Sequence, residues 1–290
     1  MNKLYTEESS ITTADHVYSK ITIFGHKNDS SLPVMICMPA MGVLSKYYEP
    51  LAIEMQKKGW IAITTDLRGN GHSSVKVSKT TNFGYHEMIT YDWPAIISKA
   101  REKFPNNPLF LIGHSLGGQL STLYASINPN QVHGIVLIAS GSVYFKGWNF
   151  PHNIGVLAGT QFASIISKLF GYFPGQKIGF AGTEAKQVME DWAHNCLTGR
   201  YELSNQSQNF EELLSNLEIP VLAISFLGDG FAPGRAVKNL CRKMNRASVT
   251  YIQLKSDVTD TNKLDHFNWV KYSNPVLSKI DEWLSSLKKE

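Results

Sequence analysis

The sequence predicts an α/β fold: a mostly parallel central sheet with helices on both faces and one helical insertion. Three observations carry that expectation. Short continuous apolar runs alternate with segments of amphipathic helical spacing, and fully apolar runs suit strands buried on both faces of a parallel sheet. One long stretch, residues 141–210, interrupts the alternation. The residues with reactive groups follow directly after apolar runs, and in such sheets ligands sit outside the carboxyl ends of the strands.

Taken in order, the first 24 residues read as a loose start followed by a hairpin, with Ile11-Thr12-Thr13 and Ile21–Phe24 flanking polar turn residues. Pro33–Met38 is a continuous apolar strand, residues 46–58 have helical spacing up to Gly59, and Trp60–Thr65 is the next strand. Asp92-Trp93-Pro94 reads as a helix start, with Asp as cap and Pro in the first turn. Leu109–Ile112 is a strand, residues 116–127 a helix and Ile135–Ile138 another strand. The rhythm resumes with a strand at Pro220–Ile224, a helix at 233–244, a strand at 249–254 and a last helix capped by Asn274. The strand crossovers are expected to be right-handed.

The expected division is a core of residues 1–140 and 211–290 and a helical cap of residues 141–210. The cap segment is dense in aromatic residues, among them Tyr144, Trp148, Phe173, Phe180 and Trp192, and has no clean strand. It is too aromatic for a disordered linker. Because it leaves and re-enters the sheet at carboxyl strand ends, it reads as a lid.

Composition narrows the classes. At 290 residues, 43% apolar and 18% charged, the chain can bury a sizeable core. A net charge of +4, scattered along the chain, does not argue for nucleic acid. No apolar run reaches the ~18–20 residues of a membrane span. The start, MNKLYTEESS, lacks the apolar centre of a signal peptide. Three cysteines, Cys37, Cys196 and Cys241, have no metal-binding spacing and suit a reducing compartment. The expectation is a cytoplasmic monomer or homodimer without a metal or organic cofactor.

The chemistry centres on Gly113-His114-Ser115-Leu116-Gly117-Gly118, with an apolar strand before it and a helix after it. Glycines two before and two after Ser115 permit the sharp strand-to-helix bend that exposes a nucleophile. A serine hydroxyl needs a base. His266, in the loop between the last strand and the last helix, emerges at the same edge of the sheet. The base needs an acid to fix its tautomer. Asp229, after the Pro220 strand, is the candidate, with Asp257 and Asp260 as rivals. Acyl transfer also needs two N–H groups for the oxyanion. Leu116 and Met41, the latter within Pro39-Ala40-Met41-Gly42, are the expected donors. His114 neighbours the serine but points away across the turn and reads as structural; with Trp148 and Tyr144 it is also carried as a candidate substrate contact.

These motifs, together with Asp66-Leu67-Arg68-Gly69-Asn70-Gly71-His72-Ser73, Gly228-Asp229 and Asp265-His266-Phe267, resemble the α/β-hydrolase superfamily over nearly the whole chain. The Asp66–Ser73 loop is similar to that of the serine-aminopeptidase and monoacylglycerol-lipase-like branch. Within that branch the chain resembles a group of bacterial hydrolases without a settled substrate. The one departure is Pro39-Ala40, where many members have His-Gly. The resemblance implies the α/β-hydrolase fold and a serine hydrolase acting on a small or medium carboxylic ester. Asp66 and Arg68 are expected to hold their own loop together. An acyltransferase or thioesterase can use the same triad, and a non-catalytic ligand-binding protein can keep the fold.

Overall fold

The computed structural model describes residues 4–26, 30–204, 206–255 and 264–288. The chain runs β1 (Leu4–Thr12), β2 (Tyr18–His26), β3 (Val34–Met38), α1 (Glu49–Lys57), β4 (Ile61–Thr65), α2 (Tyr85–Glu87), α3 (Trp93–Lys103), β5 (Leu109–His114), α4 (Leu116–Ile127) and β6 (Gly134–Ile138). It continues through α5 (His152–Phe170), β7 (Tyr172–Pro174), β8 (Thr183–Ala185), α6 (Lys186–Thr198) and α7 (Phe210–Ser215). It closes with β9 (Pro220–Phe226), α8 (Gly234–Cys241), β10 (Ser248–Leu254) and α9 (Asn274–Leu287).

Eight strands form the central sheet in the order β1-β2-β4-β3-β5-β6-β9-β10. The β1–β2 hairpin and the β2–β4 pair are antiparallel, and all other neighbours are parallel. β3, β4, β5 and β6 are buried at every position. That explains their largely apolar composition, since helices cover both faces; the exceptions, Thr64-Thr65 and His114, fall at the strand ends. β10, the sheet edge, alternates exposed and half-buried residues instead. No described helix is long and apolar enough to cross a membrane.

Three elements depart from the sequence reading. The N-terminal hairpin is longer, with nine residues in each strand. The helix expected to start at Asp92 begins at Tyr85, where the Gly84 N–H is capped by the Glu87 carboxylate at 2.7 Å, and passes through a π turn over Met88–Asp92 into α3. Pro94 has no N–H to donate to the preceding turn, and the ladder widens just before it. Asp92 is therefore no cap. Its carboxylate receives Arg68 Nε and Nη2, while Arg68 Nη1 and Nη2 also bind Asp15. Buried Arg68 thus ties the first hairpin turn to the π turn before α3, and its side chain bonds outside its own loop, against the expectation that it holds that loop together. Burial pushes Asp92 up to about 6, although Arg68 opposes the shift. Finally, the segment between β6 and β9 does contain strands: β7 and β8 form a short antiparallel pair of their own.

Candidate active site

The turn between β5 and α4 holds Ser115 at φ 50° and ψ −116°. Non-glycine residues rarely occupy that region, and they persist there only when the surroundings enforce it. Here the enforcement is visible. Ser115 N–H donates to the Ile138 carbonyl at 3.1 Å, and its own carbonyl accepts from Ser140 Oγ at 2.6 Å and Gly118 N–H at 3.1 Å. The flanking glycines are required by contact. A Cβ on Gly113 would lie 2.1 Å from Gly118 Cα, and one on Gly117 would lie 2.2 Å from the Met38 carbonyl oxygen. Gly113 therefore lets strand meet helix, and Gly117 lets the elbow meet the end of β3.

Asp229 follows β9. Its Oδ1 accepts from Phe231 N–H at 2.8 Å and Ala232 N–H at 3.0 Å, and its Oδ2 lies 2.9 Å from His266 Nδ1. Both side chains are buried. Because the carboxylate only accepts, Nδ1 carries the proton and Nε2 is left as the bare nitrogen. His266 and Ser115 line one cavity of about 150 Å³ at the carboxyl ends of the strands. The structure thus brings Ser115, Asp229 and His266 to one place from three loops. Asp257 and Asp260 lie outside the described residues.

Met41 and Leu116 border the same cavity. Val43 N–H closes a turn onto the Ala40 carbonyl at 3.1 Å, with Gly42 at φ 70° as its third residue. Such a turn leaves the N–H of its second residue, Met41, outside its own hydrogen bond. Leu116 N–H is one of the unpaired first donors of α4. Among the described residues neither N–H has an acceptor.

The three candidate substrate contacts do not line this cavity. His114 is 1% exposed. Its Nδ1 is 2.7 Å from Tyr48 Oη and its Nε2 is 2.7 Å from the His266 carbonyl. The carbonyl fixes the proton on Nε2, so Tyr48 donates to Nδ1 while accepting from Ala40 N–H at 2.9 Å. Burial first, then the neighbouring His266 ring, hold its pKa well below the usual histidine range. His114 is therefore a neutral brace between the Ala40 loop and the His266 loop. Trp148 Nε1 donates to the Gly230 carbonyl at 2.7 Å, and its ring packs with Val143, Cys196 and Ala236. It supports the Asp229 loop. Tyr144 faces a neighbouring cavity instead.

The apolar wall comes from Val143, Phe180, Trp192, Phe231 and Phe267. Phe231 stands 5.2 Å and Phe267 4.8 Å from the His266 ring, measured between centroids. Phe180 and Trp192 come from the excursion between β6 and β9. That excursion also packs on the Ala40 loop, where a Cβ on Gly42 would lie 2.1 Å from Gly182 N. The aromatic density of residues 141–210 is plain in the sequence, but it follows no period that would say which rings turn inward. The polar Gln119, on the first turns of α4, also lines the cavity and was not anticipated; its Oε1 accepts from Tyr201 Oη at 3.0 Å.

A sheet of this order with an elbow residue at the end of its β5 strand defines a fold family. The family model described as the alpha/beta hydrolase fold matches residues 33–255, and the chain belongs to that family. Among curated proteins it is similar to monoglyceride lipase of Rattus norvegicus, 27% identical over 92 residues that cover 32% of this chain and 29% of that protein. It is also similar to protein phosphatase methylesterase 1 of Debaryomyces hansenii, 29% identical over 119 residues that cover 39% of this chain and 30% of that protein. The matched region thus spans about a third of these relatives. Among solved structures, an esterase of Pyrococcus furiosus superposes with TM-score 0.62 at 14% identity, over 98% of this chain and 91% of that one. The thioesterase domain from the curacin biosynthetic pathway superposes with TM-score 0.58 at 15% identity, over 97% and 99% of the two chains. At such identities the likeness is one of fold.

Proposed function

We propose that this protein is a serine hydrolase that cleaves carboxylic esters with short acyl groups through an acyl-enzyme. One observation carries the reading: a strained Ser115 shares a cavity with His266, whose far nitrogen is held by Asp229. Ser115 Oγ attacks the ester carbonyl while His266 Nε2 takes its proton. The N–H groups of Met41 and Leu116 meet the developing oxyanion. His266 returns the proton to the leaving alkoxide, and the alcohol departs. A water then gives its proton to His266 and attacks the acyl carbon; as the acid leaves, His266 passes that proton to Ser115 Oγ and restores the hydroxyl. Asp229 stabilises the imidazolium at both stages.

The acyl length follows from size. A cavity of about 150 Å³ is below the ~300–1,000 Å³ of sites for drug-sized ligands, so it suits a short acyl chain. Residues 141–210 act as the cap that supplies Phe180 and Trp192 to its wall. The monoglyceride lipase and the methylesterase among the similar curated proteins support an ester substrate. A p-nitrophenyl ester series from acetate to decanoate tests the reading. Turnover is expected to be fastest at acetate or butyrate and to vanish in Ser115→Ala. Equal turnover by wild type and Ser115→Ala would overturn the mechanism, and fastest turnover of decanoate would overturn the assigned acyl length.

A further inference from the structure

The extended segment Gly141–Tyr144 has a cavity on each side. Gly141 and Val143 border the catalytic cavity, whereas Ser142 and Tyr144 border a second one of about 550 Å³. The alternation is that of an extended chain, which turns successive side chains to opposite faces. The second cavity is lined by Lys146, Arg235, Arg242 and Lys243 and by no aspartate or glutamate.

Of these cations only Lys243 meets a carboxylate, that of Glu211. Lys146, Arg235 and Arg242 have no carboxylate partner among the described residues. Each arginine is exposed and makes one hydrogen bond to an amide oxygen. Arg235 Nη1 donates to Asn149 Oδ1 at 3.2 Å, and Arg242 Nη1 donates to Asn239 Oδ1 at 3.2 Å. An amide oxygen does not neutralise a guanidinium, and each fork keeps further N–H groups to offer. Arg235, Asn239 and Arg242 stand at i, i+4 and i+7, so they share one face of α8 and its end. Lys146 approaches from the β6–α5 connection, with Nζ 5.6 Å from the Tyr144 ring centroid.

We propose that this cavity binds a phosphorylated small molecule that bears a diphosphate group. Guanidinium forks match phosphate oxygens in pairs, and three uncompensated cations suit a ligand with at least two negative charges. The depression is open to solvent and Lys146, Arg235 and Arg242 are exposed, so the ligand is held by its charged groups at the surface and is not enclosed. The site is built on the outer side of the catalytic wall and does not depend on the chemistry of Ser115.

Calorimetric titration with inorganic pyrophosphate and with ADP, at low and physiological salt, tests the site. Both probes are expected to bind wild type, and Ser115→Ala is expected to bind them equally well. Arg235→Gln is expected to raise Kd by about tenfold, the loss of one charge-assisted contact, and the Arg235→Gln/Arg242→Gln pair by more. Lys146→Gln, on a different element, should also weaken binding, and unliganded melting temperatures like that of wild type show that each variant is folded. No heat from either probe would overturn the proposal. So would an affinity unchanged in the arginine pair, or one shared equally by sulfate and governed by ionic strength alone.

Discussion

Replacing Asp229 by Asn separates the chemistry of the proposed triad from its folding. Asp229 Oδ1 accepts two backbone N–H bonds, and an asparagine oxygen in the same place accepts both. The change is then confined to the atom 2.9 Å from His266 Nδ1. An amide NH₂ there donates rather than accepts. Nδ1 must become the acceptor, and the imidazole proton moves to Nε2, the nitrogen that has to take the proton from Ser115. A base in the wrong tautomer costs about 10⁴-fold in kcat, close to 5.5 kcal/mol of barrier. Asp229→Ala, by contrast, strands the buried Ala232 N–H at roughly 1–3 kcal/mol and also frees the part-buried Phe231 N–H, so it loses stability as well. The assay pairs kcat for p-nitrophenyl acetate with the melting temperature of each variant. The reasoning is refuted if Asp229→Asn keeps a tenth of wild-type kcat, or if its loss of activity is matched by a comparable loss of fold.

Gly117→Ala places a methyl 2.2 Å from the Met38 carbonyl; overpacking of about 1–3 kcal/mol should lower the melting temperature by several degrees and shift the elbow enough to reduce turnover. Trp192→Ala opens the apolar wall, so the ratio of octanoate to acetate turnover should rise by at least about tenfold; an unchanged ratio would mean that Trp192 does not limit the acyl chain. Glu184 accepts only a neutral donor, Gly182 N–H at 3.2 Å, and burial pushes its carboxyl up to about 7. The folded chain thus keeps a proton that the unfolded chain releases above about 4.5, so stability should fall as pH rises from there to about 7, by roughly 3 kcal/mol for this group. Asp191, pushed by burial to about 7, acts in the same direction. Urea midpoints at pH 5 and 8 should differ less in Glu184→Gln and least in Glu184→Gln/Asp191→Asn; equal differences in all three proteins would contradict the assignment.

What the sequence made legible follows burial. β3, β5, β6 and β9 are covered on both faces, and their apolar runs stand out without a tertiary argument. The span of α4 could be read as residues 116–127 because the elbow marks its start and its apolar spacing persists to Ile127. The Tyr85 start of the helix leading into α3 was hidden, because Asp92-Trp93-Pro94 imitates a helix start while Asp92 serves Arg68, 24 residues away. β7 and β8 escaped notice because three residues are too few to show a period of two. Within the site, Ser115, His266 and Asp229 each follow a strand and could be named from position. The assignments of His114, Trp148 and Tyr144 rested on residue type and neighbourhood, and these could not tell which side of the Gly141–Tyr144 segment a ring would face. The pairing of Tyr48 with His114 spans 66 residues and has no local signature.

The central claim is that Ser115 is a nucleophile activated by His266. Labelling by a fluorophosphonate probe, followed by mass spectrometry of the modified peptide, measures this directly. The expected result is one adduct on Ser115 in the wild type, none in Ser115→Ala, and labelling slowed by roughly 10³-fold or more in His266→Ala. An adduct elsewhere, no adduct in the wild type, or His266→Ala labelled at the wild-type rate would contradict the account.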